Sequence, residues 1–166
     1  VLKVYNFPVF YFPKFFHQDP SVKRQSGFLQ PRLNNSNILG SSLSIPYYYA
    51  ISEDKDLTIN PIFFSKSTKM FQNEFRQKKE DSYLIADFAI VNNFKSSEGE
   101  KKNINHLFAT IEKNLKFNDF ITSKINFFLE RVSNDNYLKI FSDNLPTNSI
   151  KPNDPDNLKS GFDFFL

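Results

Sequence analysis

Short runs in which apolar and polar residues alternate, separated by turn residues, dominate this chain and read as β-strands. From Ile38 to Ile51, one face would carry Leu43, Ile45, Tyr47, Tyr49 and Ile51, and the other Ser42, Ser44, Pro46, Tyr48 and Ala50. Asp56 to Phe64 sets Leu57, Ile59 and Phe63 against Asp56, Thr58 and Asn60, although Ile62 and Phe64 interrupt the polar face. Met70 to Gln77 places Phe71 and Phe75 opposite Gln72, Glu74 and Arg76. Tyr83 to Val91 opposes Leu84, Ala86, Phe88 and Ile90 to a face whose one charge is Asp87. His106 to Asn114 and Phe120 to Glu130 repeat the pattern.

The charges decide what this alternation means. Mid-strand Glu74, Arg76, Asp87, Glu112, Lys124 and Glu130 all fall opposite the larger apolar set, leaving one face free of charge. Strands of roughly 9 to 11 residues with one greasy and one wet face are what a transmembrane β-barrel requires. A half-buried soluble sheet alternates in the same way, so a soluble sandwich and a membrane barrel both stay open on pattern alone.

Connection lengths add an independent sign. Five of the connections between the first seven strands are short, whereas Asn93 to Ile104 and Ser133 to Ser160 are long. The long ones follow the fifth and seventh strands, hence lie at one end of the sheet, as the extracellular loops of outer-membrane barrels do. A rival reading exists for Phe117 to Val132, where Phe117, Phe120, Ile121, Ile125, Phe128, Leu129 and Val132 fit a helical stripe that Asn118 or Asp119 would cap. Met70 to Lys79 is ambiguous in the same way, so an α+β domain is an alternative.

Composition narrows the classes. The 166 residues include 21 Phe and 7 Tyr but no Trp and no Cys, with a formal net charge of +3. So many rings argue against a disordered chain. The longest uncharged stretch, Ile38 to Ile51, is broken by Gly40, Pro46 and four serines, far from the roughly 18 apolar residues of a membrane helix. Without cysteine, disulfides within the chain, thiol nucleophiles and thiolate metal sites are excluded. An opening on Val1 and a close on GFDFFL read as a segment of a longer protein.

Candidate chemistry is sparse. His17 and His106 are the two imidazoles, and no phosphate-cradling glycine loop, nucleophile elbow or zinc spacing occurs. Asn153 to Asn157, NDPDN, lacks the glycine and terminal glutamate of a calcium loop and reads as solvated. The sequon Asn34, Asn35, Ser36 reads as turn residues. Nothing brings two carboxylates such as Glu74 and Glu112 into one pocket. Basic residues are scattered, which disfavours a nucleic-acid groove. The expectation is a protein that is not an enzyme, with no metal or cofactor.

Two prolines stand out. Pro31, in GFLQPRL, and Pro46, in SIPYYYA, interrupt stretches that otherwise read as strands, and each deletes a ladder donor. A hairpin tip centred between Ile38 and Leu39 would set Pro31 directly opposite Pro46, and would leave Arg32 beside Ile45 on the apolar face. The plainer explanation is an edge strand guarded against aggregation.

The stretch NFPVFYFPKFFHQDPSVKRQSGFLQPRL, followed by LGSSLSIPYYYAISEDKDLTINPIFFSKSTKMFQNEFR, resembles the lipopolysaccharide-assembly outer-membrane protein family, LptD or OstA. The likeness rests on FPVFYFP, RQSGFL, the strand prolines, PYYYAI, DLTINP and QNEFR, between Asn6 and Arg76, and continues through NHLFATIEKNL and ERVSNDNYL. Where the family has Ser-Asp before the tyrosine, this chain has Ser133, Asn134 and Asp135.

The resemblance implies an all-β protein: residues 1–25 as the last strand of a periplasmic β-jellyroll with its linker, and 26–166 as the N-terminal strands of an outer-membrane β-barrel, an antiparallel meander. It implies delivery of lipopolysaccharide to the outer leaflet through a laterally opening barrel, with Pro31 and Pro46 weakening the lateral gate. Implied partners are lipopolysaccharide, outer-membrane lipid, an LptE-like plug lipoprotein in the lumen and an LptA-like jellyroll bridge. Glu74, Arg76, Asp87, Glu112, Lys124 and Glu130 would then face the lumen, and Leu43, Ile45, Leu84, Phe88, Ile125 and Phe127 the lipid. The location implied is the outer membrane of a Gram-negative bacterium, with the N-terminal end in the periplasm. A general porin and a soluble β-sandwich binding module are the alternatives.

Overall fold

The computed structural model describes residues 2–4, 7–10, 24–95, 101–116, 123–145 and 150–165. The stretch expected to end a jellyroll carries a hairpin, β1 (Leu2–Val4) with β2 (Phe7–Phe10), in a two-stranded sheet of its own.

The other described strands belong to one antiparallel meander. Its first strand is made of β3 (Gly27–Phe28) and β4 (Arg32–Ser36), and its second of β5 (Gly40–Ser44) and β6 (Tyr47–Ser52). Then follow β7 (Lys55–Phe64), β8 (Lys69–Lys78), β9 (Ser82–Lys95), β10 (Lys101–Leu115), β11 (Ser123–Val132) and β12 (Ser160–Phe165). Each pairs with its sequence neighbour, so the all-β antiparallel meander that the resemblance implies is the fold, and the α+β alternative is not.

Turn chemistry sets the first hairpin. Gly40 sits at φ +75°, and a Cβ there would collide with the Ser65 hydroxyl, so glycine answers both the dihedral and the space. Ser36 Oγ accepts from the amides of Ile38 and Leu39, which centres the turn on Ile38 and shifts the pairing by one residue from the expected register. Ser36 consequently pairs with Gly40 and Arg32 with Ser44.

Several expectations need correcting. Ile38 to Ile51 is not one strand but two, with the break at Pro46. The helical stripe over Phe117 to Val132 gives way to strand from Ser123 onward, because β11 finds a full ladder on β10; residues 117–122 lie outside the described ones. Met70 to Lys79 is strand for the same reason, paired on both sides by β7 and β9. The long connection at Asn93 to Ile104 is mostly strand, since β9 runs to Lys95 and β10 starts at Lys101.

The second long connection folds back onto the sheet. A short helix α1 (Tyr137–Phe141) and a single 3-10 turn (Ser142–Asn144) lie in it. Five residues are too few for a helix to stand alone in water. Here it is held by burial: Tyr137, Leu138, Phe141 and Leu145 form one core with Ile62, Phe64, Met70, Val91, Phe94, Ile104 and Phe108. Phe141 meets Phe64 and Phe94 edge-on, at centroid distances of 6.1 and 5.8 Å. Ile62 and Phe64, which interrupt the polar face in sequence, are therefore core residues beneath this helix.

Candidate functional site

Cross-strand pairing fixes which residues share a face, since side chains of directly opposed residues point the same way. Glu74 opposes Asp87, Asp87 opposes Phe108, and Phe108 opposes Glu130. Arg76 opposes Ile85, which opposes Thr110; Glu112 opposes Asn126; and Lys124 lies two residues before Asn126. The six charged residues singled out by alternation thus stand on one face. Leu43, Ile45, Leu84, Phe88, Ile125 and Phe127 stand on the other: Leu84 opposes Ile111 and Ile111 opposes Phe127.

The exposure of the two faces is the reverse of a water-soluble sheet. Gln72, Asp87 and His106 on the charged face are 1%, 0% and 2% exposed, whereas Phe88, Ile90 and Phe127 on the apolar face are 40%, 52% and 45% exposed. Leu43, Tyr49, Ile59, Phe63, Phe71, Leu107 and Ile111 extend this exposed apolar surface across the sheet. A patch of that extent marks a surface made to meet a partner or a membrane.

Several buried polar groups pair in a line across the strands, while Glu74 Oε2, His106 Nε2, Ser123 Oγ and Asn126 Oδ1 have no hydrogen-bond partner among the described residues. Ser44 Oγ donates to Asn60 (2.6 Å), Asn60 Nδ2 to Gln72 (3.1 Å), and Gln72 Nε2 to both Asp87 oxygens (3.0 and 3.2 Å). His106 Nε2 faces Asp87 at 3.3 Å, while its Nδ1 shares a hydrogen bond with the Tyr137 hydroxyl at 2.7 Å. The His106–Tyr137 bond, buried at the end of this line, also fastens α1 to the sheet. Toward the short-turn end, Asp56 receives Arg24 (2.9 Å) and Arg76 (2.8 Å) on its two oxygens.

The six charged residues do not form one cluster. Glu74, Arg76 and Asp87 are neighbours, with Arg76 Nε 3.5 Å from Glu74. Glu112 pairs with Lys124 at 2.6 Å, away from Glu74, and Glu130 accepts the Lys159 amide at 2.7 Å. Asp56, Asn60, Gln72, His106 and Tyr137, which complete the polar face, were not selected by charge alternation. In the NDPDN stretch, Asp154 accepts from the Asp156 amide and the Asn157 side chain, and the latter bond holds its carboxyl below the usual range. Asp156 in turn raises Lys139 through a 2.7 Å contact.

The prolines sit in the gaps of the first two strands, Pro31 between β3 and β4 and Pro46 between β5 and β6. They do not face each other directly, because the pairing is shifted by one residue from the expected register. From Phe28 to Arg32 is four steps, whereas from their partners Tyr47 to Ser44 is three, so one residue on the first strand is extra there. Arg32 therefore opposes Ser44 and not Ile45, which removes it from the apolar face. Leu29 donates to the Pro46 carbonyl at 2.8 Å, and proline cannot return the bond. A third proline repeats this at the next seam: Ile45 donates to the Pro61 carbonyl at 3.2 Å, again without return. Three consecutive strands thus carry a missing donor at one level.

No family model matches the chain. Curated relatives do. The LPS-assembly protein LptD of Legionella pneumophila (strain Lens) is 31% identical over 155 residues, which cover 87% of this chain and 18% of the relative. The protein of the same name from Pseudomonas aeruginosa (strain UCBPP-PA14) is 35% identical over 91 residues, 55% of this chain and 10% of the relative. That of Idiomarina loihiensis is 27% identical over 141 residues, 84% of this chain and 18% of the relative. The chain belongs to the LptD family. It spans about a fifth of the length of the longest-matching relatives, 18%. The LptD likeness over 155 residues reaches beyond the Asn6 to Arg76 motifs and takes in most of the meander.

Proposed function

We propose that this chain forms the N-terminal strands of an outer-membrane β-barrel that delivers lipopolysaccharide to the outer leaflet, opening sideways at its first strands. Residues 1–25 would end the periplasmic jellyroll and 26–166 would open the barrel. One observation carries the reading: the sheet buries Asn60, Gln72, Glu74, Asp87 and His106 on its charged face while Phe88, Ile90, Phe127 and their apolar neighbours stand exposed on the other. That arrangement is costly in water and favourable where lipid meets one face and a hydrated lumen the other. It also favours a barrel over a soluble sandwich.

The names of the relatives supply lipopolysaccharide as the cargo. The charged face, with Glu74, Arg76, Asp87, Glu112, Lys124 and Glu130, suits a polar lumen that a plug lipoprotein of the LptE kind fills. The N-terminal hairpin suits docking of an LptA-like bridge on the periplasmic side. The proline gaps favour lateral opening over a simple pore, which has no use for a weakened seam.

Pro46 withholds a bond from Leu29, and Pro31 stands at the extra residue opposite. With about 0.5 to 1.5 kcal/mol per net hydrogen bond, the donor that Pro46 lacks opposite Leu29 lowers the cost of parting the strands by about that much. That is roughly 2- to 12-fold in an opening equilibrium. The double variant Pro31→Ala, Pro46→Ala in the full-length protein should fold at least as well and deliver lipopolysaccharide more slowly. Pulse-labelled lipopolysaccharide at the cell surface, at equal barrel abundance, reads this; an unchanged rate would refute the gate.

A further inference from the structure

Asp56 on β7 is 2% exposed, and its carboxylate is shared by two guanidiniums that reach it from opposite sides. Arg76, on the neighbouring β8, holds Oδ1 through Nε at 2.8 Å. Arg24, three residues before β3, holds Oδ2 through Nη1 at 2.9 Å. The second contact skips a strand: β3 pairs with β6, and β6 lies between β3 and β7. Ala50 of β6 stands directly opposite Asp56, so its side chain is on the same face, and a lone methyl group there leaves the guanidinium a path across the strand.

What this bond spans is the weak part of the sheet. β3 keeps two paired positions on β6, Gly27 with Tyr48 and Phe28 with Tyr47, supplemented by the Ala50 amide donating to Ser26 Oγ and by the unreturned bond from Leu29 to Pro46. On the far side of the second strand, Ile45 donates to Pro61 without return. One ion pair from the start of the first strand to the third thus crosses both proline-weakened seams. Its two cations differ in how they are held. Arg76 has a second carboxylate, Glu74, at 3.5 Å and sits within a ladder, whereas Arg24 is 53% exposed and lies outside any strand. Release of Arg24 consequently leaves the buried carboxylate still paired and the freed guanidinium in water, which avoids the penalty of an unpaired buried charge.

We infer that Arg24 is a releasable latch of this corner. Bound to Asp56, it ties the start of the first strand across the second onto the third and keeps both seams closed at the short-turn end. Released, it leaves those seams to the few bonds that the prolines allow. Arg24 is thus a positioning residue that acts through Asp56. The inference rests on the transport reading for its purpose, a corner that opens, and on geometry for its existence.

The test is amide hydrogen exchange in the full-length protein folded into phosphatidylcholine vesicles. The Ala50 and Leu29 amides report the first seam, Ile45 the second, and Val91 in the helix-covered core serves as the reference. Arg24→Gln should speed exchange at Ala50, Leu29 and Ile45 about five- to tenfold, between the effect of an exposed ion pair and that of a charged hydrogen bond, with Val91 unchanged. Arg24→Lys keeps the charge and should retain most of the protection. Raising the salt to about 1 M should speed exchange in the unaltered protein toward the Arg24→Gln rate and leave Arg24→Gln itself unmoved, a response that a purely steric role does not give. Unchanged exchange in Arg24→Gln, or a rate indifferent to salt in the unaltered protein, overturns the latch. Faster exchange at Ala50 and Leu29 with Ile45 unmoved overturns the span across both seams. Surface delivery of lipopolysaccharide is scored separately: an unaltered protein that delivers none refutes the transport reading alone, and delivery with no faster exchange in Arg24→Gln refutes the latch alone.

Discussion

The helix-covered end of the sheet and its proline-broken corner are built from opposite devices. At the covered end, β7 to β10 are long and continuous, and α1 seals Met70, Val91 and Phe108 beneath Tyr137 and Phe141. At the corner, the first two strands are each broken in two, an extra residue shifts the register, and Pro46 and Pro61 each accept a bond that they cannot return. Stability at the first region comes from apolar burial. Weakness at the second comes from absent donors, which cost nothing in packing and leave the neighbouring ladder intact. The proposed lateral opening would draw on both: a corner that parts and a sheet that holds.

The largest expected effect is at the covered end. Phe141→Ala should cost about 3 to 5 kcal/mol, as for other fully buried Phe. In the full-length protein, a cysteine at Ala89 should become reactive to a thiol reagent in the lumen, while amide exchange at Leu29 stays unchanged. Faster exchange at Leu29 would show that the two regions are not independent.

Next comes the apolar face. Phe88→Arg should cost about 2 to 4 kcal/mol if it lies near the midplane, measured by equilibrium folding into phosphatidylcholine vesicles, whereas Glu112→Gln should be tolerated. Comparable costs for the two would remove the distinction between faces.

The corner should respond more modestly and in the opposite direction. Pro46→Ala and Pro61→Ala each restore a donor facing a free carbonyl, so each should stabilise its seam by about 0.5 to 1.5 kcal/mol. The gain should appear as slowed hydrogen exchange at Leu29 and Ile45. Slowing at Leu29 in Pro61→Ala alone would mean that the two seams open as one unit.

The smallest effect belongs to the half-exposed Lys124 and Glu112 pair, where Lys124→Gln should change stability by less than about 1 kcal/mol, diminishing further in high salt. A larger change would indicate that the pair is shielded from water.

Alternation carried most of the fold, because a period of two survives wherever one face is uniformly apolar. It placed Glu74, Asp87 and Lys124 on one face without any knowledge of pairing. It failed where a distant segment changed the surroundings. Ile62 and Phe64 looked like errors on a polar face because α1, more than 70 residues later, covers them. Phe117 to Val132 has helical periodicity, but periodicity cannot register the edge of β10 that converts Ser123–Val132 to strand.

The site was legible in part. Pro31 and Pro46 were visible because proline is rare inside strands, but their relative register depended on one hydrogen-bonded turn at Ser36. Nothing in DLTINPIFF singles out Pro61; its significance lies in the bond that Ile45 donates to it. His106 and Tyr137 are 31 residues apart in the chain and no local pattern links them.

The measurement that bears most directly on the account is spin-label accessibility along β11 in the full-length protein in vesicles. A label at Phe127 should be relaxed by oxygen dissolved in the lipid, and a label at Lys124 by a water-soluble nickel complex. If Phe127 proves accessible from water and Lys124 from lipid, the assignment of the exposed apolar face to the membrane is wrong, and the barrel reading falls with it.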